Sequence, residues 1–339
     1  MAKKIFVLGL LLILVSVPAL SHAKDMKPYK IKRLVNQLYE KPKAMDAQRQ
    51  LSSYGIEVTP YVLPLLKDKN NESARIAALK VLAAVKATSA EPEVVKRLKD
   101  HDSRVRQQAA KTLSVIGSKE TTVAALKDLM KDPYPNVRYN AIRALARIAP
   151  KDEADLFISS LSDYDPRVRM FAVAALGRIK SEKSVPYITQ LARDWDPGVR
   201  TAVAGALGSI GSKDCLPGLE LLMQDPDLSI RILAIKKISE LKNVPGVDEP
   251  LYEVAMNHDP RIASVGMLSL AEVNKEKALE VAKNRIDDEH TSVQMASIEI
   301  IGRMGNKEDK QLLQGLTDAE STKVRRQAEV ALEDLDSRT

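Results

Sequence analysis

The chain has 339 residues, of which 45% are hydrophobic but only 4% aromatic. Its core must therefore be built from Ala, Val, Leu and Ile, which suits closely packed helices and excludes an aromatic-rich sheet sandwich. A lone cysteine, Cys215, excludes an internal disulfide, and the net charge of +7 is spread over mixed-sign sequence, unlike the basic patch of a nucleic-acid binder.

Residues 1–23 read as a secretory leader. Lys3 and Lys4 precede an apolar run from Ile5 to Val17, and small residues Ser21 and Ala23 precede Lys24. The run is shorter than the roughly 20 residues that span a bilayer, so cleavage is expected and anchoring is not. No cysteine follows it, so no lipid-modified N-terminus is indicated. The mature chain then starts at Lys24, and losing Lys3 and Lys4 lowers the net charge from +7 to +5. It has no later stretch long and apolar enough to cross a membrane. The expected destination is outside the cytoplasm, periplasmic or secreted, in a bacterium.

From Lys24 onward one phrase recurs. "DPYPNVRYNAIRALARI" (132–148), "DYDPRVRMFAVAALGRI" (163–179) and "DWDPGVRTAVAGALGSI" (194–210) share a register, and arginines fall at 75, 106, 138, 169, 200, 231 and 325. Ala263 and Gln294 fill the two missing places. A period in this range is the signature of a stacked array. Four places after the Val of each Val-Arg, the column reads Ala78, Ala109, Ala141, Ala172, Val203, Ala234, Gly266, Ser297 and Ala328. Eight places after, it reads Leu82, Leu113, Leu145, Leu176, Leu207, Ile238, Leu270, Ile301 and Leu332. This is helical spacing, with a small residue for close approach and a large one to fill the gap. Gly117, Gly211 and Gly305 are expected to end their helices in the left-handed conformation.

A second helix precedes each of these, as in "SVPYITQLAR" (184–193), and Pro60, Pro92, Pro186 and Pro217 each lie eight residues before an Asp. Residues 28–55 fit a degenerate first unit through Ala47, Leu51 and Gly55. The count is about ten helix pairs, with no linker long enough to separate domains.

The proline, the Asp eight later, the Arg six after that and the "VR..A...L..I" helix together resemble HEAT repeats. The short unit is most similar to the variety also found in phycobilin lyases. The resemblance covers nearly all of the chain from Lys24. It implies an all-α, right-handed α-solenoid of antiparallel helix pairs over 24–339.

The spacing in Asp100/Arg106, Asp132/Arg138, Asp163/Arg169, Asp194/Arg200 and Asp225/Arg231 predicts a ladder. Each Asp is expected to accept backbone amides at the start of the second helix, and a guanidinium of its own or the neighbouring unit. A row of phosphate-binding arginines is the other reading of the same residues. At the eighth unit the pair becomes Asn257/Ala263, after "KNVPGVDEP", so a weaker seam or change of curvature is expected near 242–262. The column that is apolar at Ile142, Val173, Ile235, Met267 and Ile298 becomes Glu329 in the last unit, as a terminal cap requires.

Catalytic signatures are absent: there is no G-x-x-x-x-G-K, H-E-x-x-H or G-x-S-x-G. His101, His258 and His290 sit in turns and read as solvated residues. Cys215 falls where other units carry Thr121 or Ser184 and reads as a packing residue. No cofactor or metal is expected. A lyase or ligand-carrying enzyme is what the resemblance leaves open. The reading taken here is a non-enzymatic scaffold for a protein or peptide.

In arrays of this kind the second helices line a concave groove. The columns two, six and ten places after Val hold Tyr139, Met170, Thr201 and Ile232, then Arg143, Ala174, Gly205 and Lys236, then Arg147 and Arg178. They predict an apolar strip with a small-residue floor and flanking cations; inward packing of Met170 and Ile232 is the plain alternative. A second candidate surface is the turn edge, where His101, Tyr164, Trp195 and His258 share one column.

Overall fold

The computed structural model describes residues 19–148 and 153–338. Most of the 1–23 leader, including its apolar run, lies outside the described residues. Every regular element among the described residues is helical, and no helix there is long and apolar enough to cross a membrane. The fold is an all-α solenoid, and the chain divides into two compact units, one ending at Ala125 and one beginning at Leu126.

The first unit holds three helix pairs. Ala19–Gln37 packs with Lys41–Ser53, the segment 55–67 with Glu72–Ala84, and the segment 88–99 with Ser103–Ile116. Seven more pairs follow, all with their second helices in the second unit. Their second helices are Pro135–Ile148, Pro166–Arg178, Pro197–Ile210, Leu228–Ser239, Pro260–Ala271, Thr291–Met304 and Thr322–Arg338. Ten pairs are therefore described, in the predicted register. The connection 242–250 lies within the second unit, and Gly246 turns it with φ 85°.

The first helices are less regular than the pattern implies. Three of the four prolines stand just inside a short α-segment flanked by 3-10 turns, as Pro186 does in Val185–Gln190. A proline there loses no helical hydrogen bond, because its missing N–H would have had no partner.

The repeat columns form the core. Ala78, Ala109, Ala141, Ala172, Val203, Ala234 and Ala328 are wholly buried, as are Leu82, Leu113, Leu145, Leu176, Leu207, Ile238, Leu270 and Ile301. Removing one such leucine side chain costs about 2–5 kcal/mol. Successive second helices approach backbone to backbone: a Cβ on Gly177 would stand 2.6 Å from Ala206 Cα. Glu329 is exposed in the last helix, so the polar cap is in place.

The glycine expectation needs correcting. Gly211 is left-handed, with φ 76°, but Gly117 and Gly305 are extended, with φ −69° and −67°. What those two positions require is space. A Cβ on Gly117 would lie 2.6 Å from Leu113 O and 2.8 Å from Thr122 Cγ2, and one on Gly305 would lie 2.6 Å from Ile301 O. Left-handed helix ends elsewhere are made by Lys86 and Lys180, both at φ 53°.

Candidate partner-binding surfaces

The ladder pairs decide which cations of the second helices are left free. In the second unit Arg138 reaches Asp163 at 2.8 Å, Arg169 reaches Asp194 at 2.7 Å and Arg200 reaches Asp225 at 2.6 Å. Each guanidinium also donates to the backbone carbonyl six residues before it, as Arg169 Nη1 does to Asp163 O at 2.8 Å. The first unit repeats the pattern with Arg75 and Asp100 at 3.0 Å. Each arginine thus grips its own turn and the carboxylate of the next one. These are bidentate or multiply bonded charge pairs, mostly buried, and their role is architectural.

The ladder aspartates do not cap the second helices. Asp163 accepts the Asp165 amide at 2.9 Å, and Asp165 is the N-cap, accepting from Arg167 N. Asp102, Asp196, Asp227 and Asp259 cap in the same way. Two aspartates two residues apart divide the work: the first holds the neighbour and the second satisfies the helix start. The Arg167 side-chain hydrogen bond holds the Asp165 carboxyl below its ordinary value.

Arg143, Arg147, Arg178 and Lys236, on the exposed side of the second helices, are of a different kind. All four are exposed, and none forms an ion pair among the described residues. Between them Ala174 is exposed, and a Cβ on Gly205 would meet nothing within 4 Å. Thr201 is exposed and returns its hydroxyl to Pro197 O at 2.8 Å. Met170 and Ile232 are half-buried. Tyr139 packs edge-on against Phe171, with ring centroids 5.2 Å apart, and carries Arg167 at 5.3 Å over its ring. The strip is open at Ala174 and Gly205 and closed by ring packing at Tyr139.

The turn edge is also built. Tyr164 and Trp195 stand 95% and 72% exposed and line one cleft of about 640 Å³, with Leu161 and Leu191 also lining it. Arg169 lies 5.3 Å from the Trp195 ring centroid while holding Asp194. His101, in the first unit, and His258, on a later turn, do not line this cleft. Both are exposed, as is His290, and Cys215 is fully buried beside Ser212 Oγ at 3.4 Å.

Sequence reading missed two things. Arg285, outside the repeat column, donates to Ala255 O at 2.6 Å and to Asn257 O at 3.3 Å, holding the turn that has no ladder pair. Glu91, in the first unit, collects donors from Ser118, Thr121 and Thr122; burial raises its carboxyl, but these hydrogen bonds bring it below the ordinary value. No spacing rule announces either one.

The family model for HEAT repeats matches residues 59–135, 123–204, 185–268 and 249–333. No curated protein sequence matches the chain. Among solved structures, an engineered protein from the Northeast Structural Genomics Consortium is similar at 19% identity and TM-score 0.51, covering 90% of this chain and 98% of its own. A mutant of Kap121p is similar at 12% identity and TM-score 0.68, over 92% of this chain and 42% of that one. Kap121p bound to Ste12p gives 12% identity and TM-score 0.67, over 94% and 43%. The chain thus spans under half the length of Kap121p, and at these identities the likeness concerns the fold. The matched repeats run nearly from end to end of the described chain, and it belongs to the HEAT-repeat family.

Proposed function

We propose that this chain is an exported, non-enzymatic scaffold that holds a protein or peptide segment on the exposed face of its second helices between residues 139 and 236. One observation carries the reading. The chain neutralises Arg138, Arg169 and Arg200 with aspartates, yet leaves Arg143, Arg147, Arg178 and Lys236 exposed and, among the described residues, unpaired around an open floor. A segment with an apolar side chain over Ala174 and Gly205 and acidic groups beside the cations is complementary to that face. The fold is shared with Kap121p, a protein seen in complex with another protein, Ste12p. Export rests on the leader, and an intact mass beginning at Lys24 is its check.

The binding face is tested by placing a photo-crosslinking residue at position 174 or 205 of the full chain in cells, with position 183 on a first helix as control. Discrete adducts from 174 and 205, lost on Gly205→Glu for the probe at 174, are expected. Adducts from 183 alone, or none from either face position, overturn the assignment.

A further inference from the structure

The face just described leaves the turn edge unused, and the edge carries its own evidence. Trp195 has a structural task, covering the Arg169–Asp194 pair. Tyr164 has none: its ring is 95% exposed and makes no hydrogen bond or ring contact among the described residues. Nonetheless the two rings flank one cleft of about 640 Å³, with Leu161, Leu191 and Pro166 also lining it. An adjoining cleft of about 330 Å³ continues past the same turn and is lined by Arg193, Asp194 and Pro226.

Charge along this row is almost cancelled. Asp163, Asp194 and Asp225 are held by Arg138, Arg169 and Arg200. Arg193 is exposed and has no partner among the described residues, so it is the uncompensated charge at the second cleft. Geometry narrows the occupant further. Tyr164 and Trp195 stand on consecutive turns, and stacked helices lie about 8–10 Å apart. A polyproline II strand turns once every three residues, advancing about 9 Å. Its prolines at i and i+3 therefore meet successive rings, and such a strand loses little conformational freedom on docking.

We infer that the Tyr164–Trp195 cleft is a second docking site, which takes an extended Pro-x-x-Pro segment of a partner with an acidic residue beside it that pairs with Arg193. Single-stranded nucleic acid also stacks on exposed rings, but its backbone needs a track of free cations, and among the residues lining the two clefts Arg169 and Arg200 are already paired, which leaves Arg193 alone.

Trp195 is the only tryptophan in the chain, so all indole emission reports on this cleft. The mature protein is titrated with a nine-residue peptide of three Pro-Pro-Glu repeats. The controls are Pro-Pro-Lys and Ala-Ser-Glu repeats of the same length, and a ten-nucleotide thymidine strand. A saturable blue shift with the Pro-Pro-Glu peptide is expected. Tyr164→Ala should weaken it about tenfold or more with no change in thermal midpoint, since that ring is exposed. Arg193→Glu should reverse the preference toward the lysine peptide, and Gly205→Glu should leave binding intact. No saturable response up to about 1 mM, an equal response to Ala-Ser-Glu or thymidine, or loss on Gly205→Glu each overturns the inference. The first three would leave the helix-face reading untouched, because that face holds neither ring.

Discussion

Between residues 163 and 225 each turn is tied to the next by a guanidinium–carboxylate pair, and the Arg169–Asp194 pair keeps only 6% and 5% side-chain exposure. Between 248 and 271 the same places hold Asn257 and Ala263, and the helices are joined differently. Gly266 takes the small-residue position, where a Cβ would stand 2.6 Å from Val254 Cγ1 and 2.7 Å from Ala255 N. Arg285 then reaches back from the following pair to hold the turn carbonyls. In the first region Ala172 and Val203 fill that position with buried side chains, and a buried ion pair links the turns. The eighth pair lacks the ion pair and brings its backbones together. The ladder ties one pair to the next, whereas the Gly266 contact ties together the two helices of a single pair.

The widest separation between the two regions should come from Asp194→Ala. It strands the buried Arg169 guanidinium, and breaking a pair of that kind costs about 3–5 kcal/mol. Asn257→Ala, at the corresponding place, loses one exposed hydrogen bond to the Asp259 amide and should cost under about 1 kcal/mol. Urea denaturation measures both, and equal midpoints would show that the ladder is not what joins pairs five and six.

Next in size is the methyl group that the eighth pair excludes. Gly266→Ala should destabilise by about 1–3 kcal/mol, the cost of overpacking, and accelerate amide exchange over residues 248–271. If exchange there is unchanged, the close approach is not what holds that pair.

The smallest contrast lies in the caps, which both regions share. The Arg261 side-chain hydrogen bond lowers Asp259 to about 2, and Arg167 lowers Asp165 in the same sense. Because the folded value lies below the unfolded value of about 3.9, the cap's contribution is complete above that pH and lost as pH falls through about 2. A carboxyl titration by NMR should place the Asp259 midpoint near 2, moving toward 4 in Arg261→Ala. A midpoint near 4 in the unmutated protein removes Arg261 from the cap.

Much of this comparison was legible in the residues. The columns at Ala172 and Leu176, the pair count and the failure at Asn257/Ala263 are periodic facts, and a period survives translation from letters to space. The ladder spacing was legible too, but not its direction. Arg169 belongs with Asp194 and not with Asp163, because the guanidinium points across to the next turn. The cap fell to Asp165 for a similar reason: two aspartates two residues apart look alike until one amide is assigned. Gly117 and Gly305 show another limit, since a letter does not say whether glycine serves a dihedral angle or a vacant volume. On the candidate face, sequence placed Ala174 and Gly205 in one strip, but that Arg143 and Arg178 have no ion-pair partner among the described residues is a matter of where the carboxylates sit in space. The cleft between Tyr164 and Trp195 joins residues from consecutive turns, and their shared column was its only trace.

The forward grip of each arginine bears on how such a gene can change length. Excising residues 164–194 would leave Arg138 facing Asp163 and set Arg200 six places after it, still facing Asp225. Every remaining link would close on the partner it already has. A recombination that drops or copies one period therefore leaves no orphaned charge at the junction, whereas a cut out of phase strands one. Selection can lengthen or shorten this protein in whole steps without first inventing a compensating mutation.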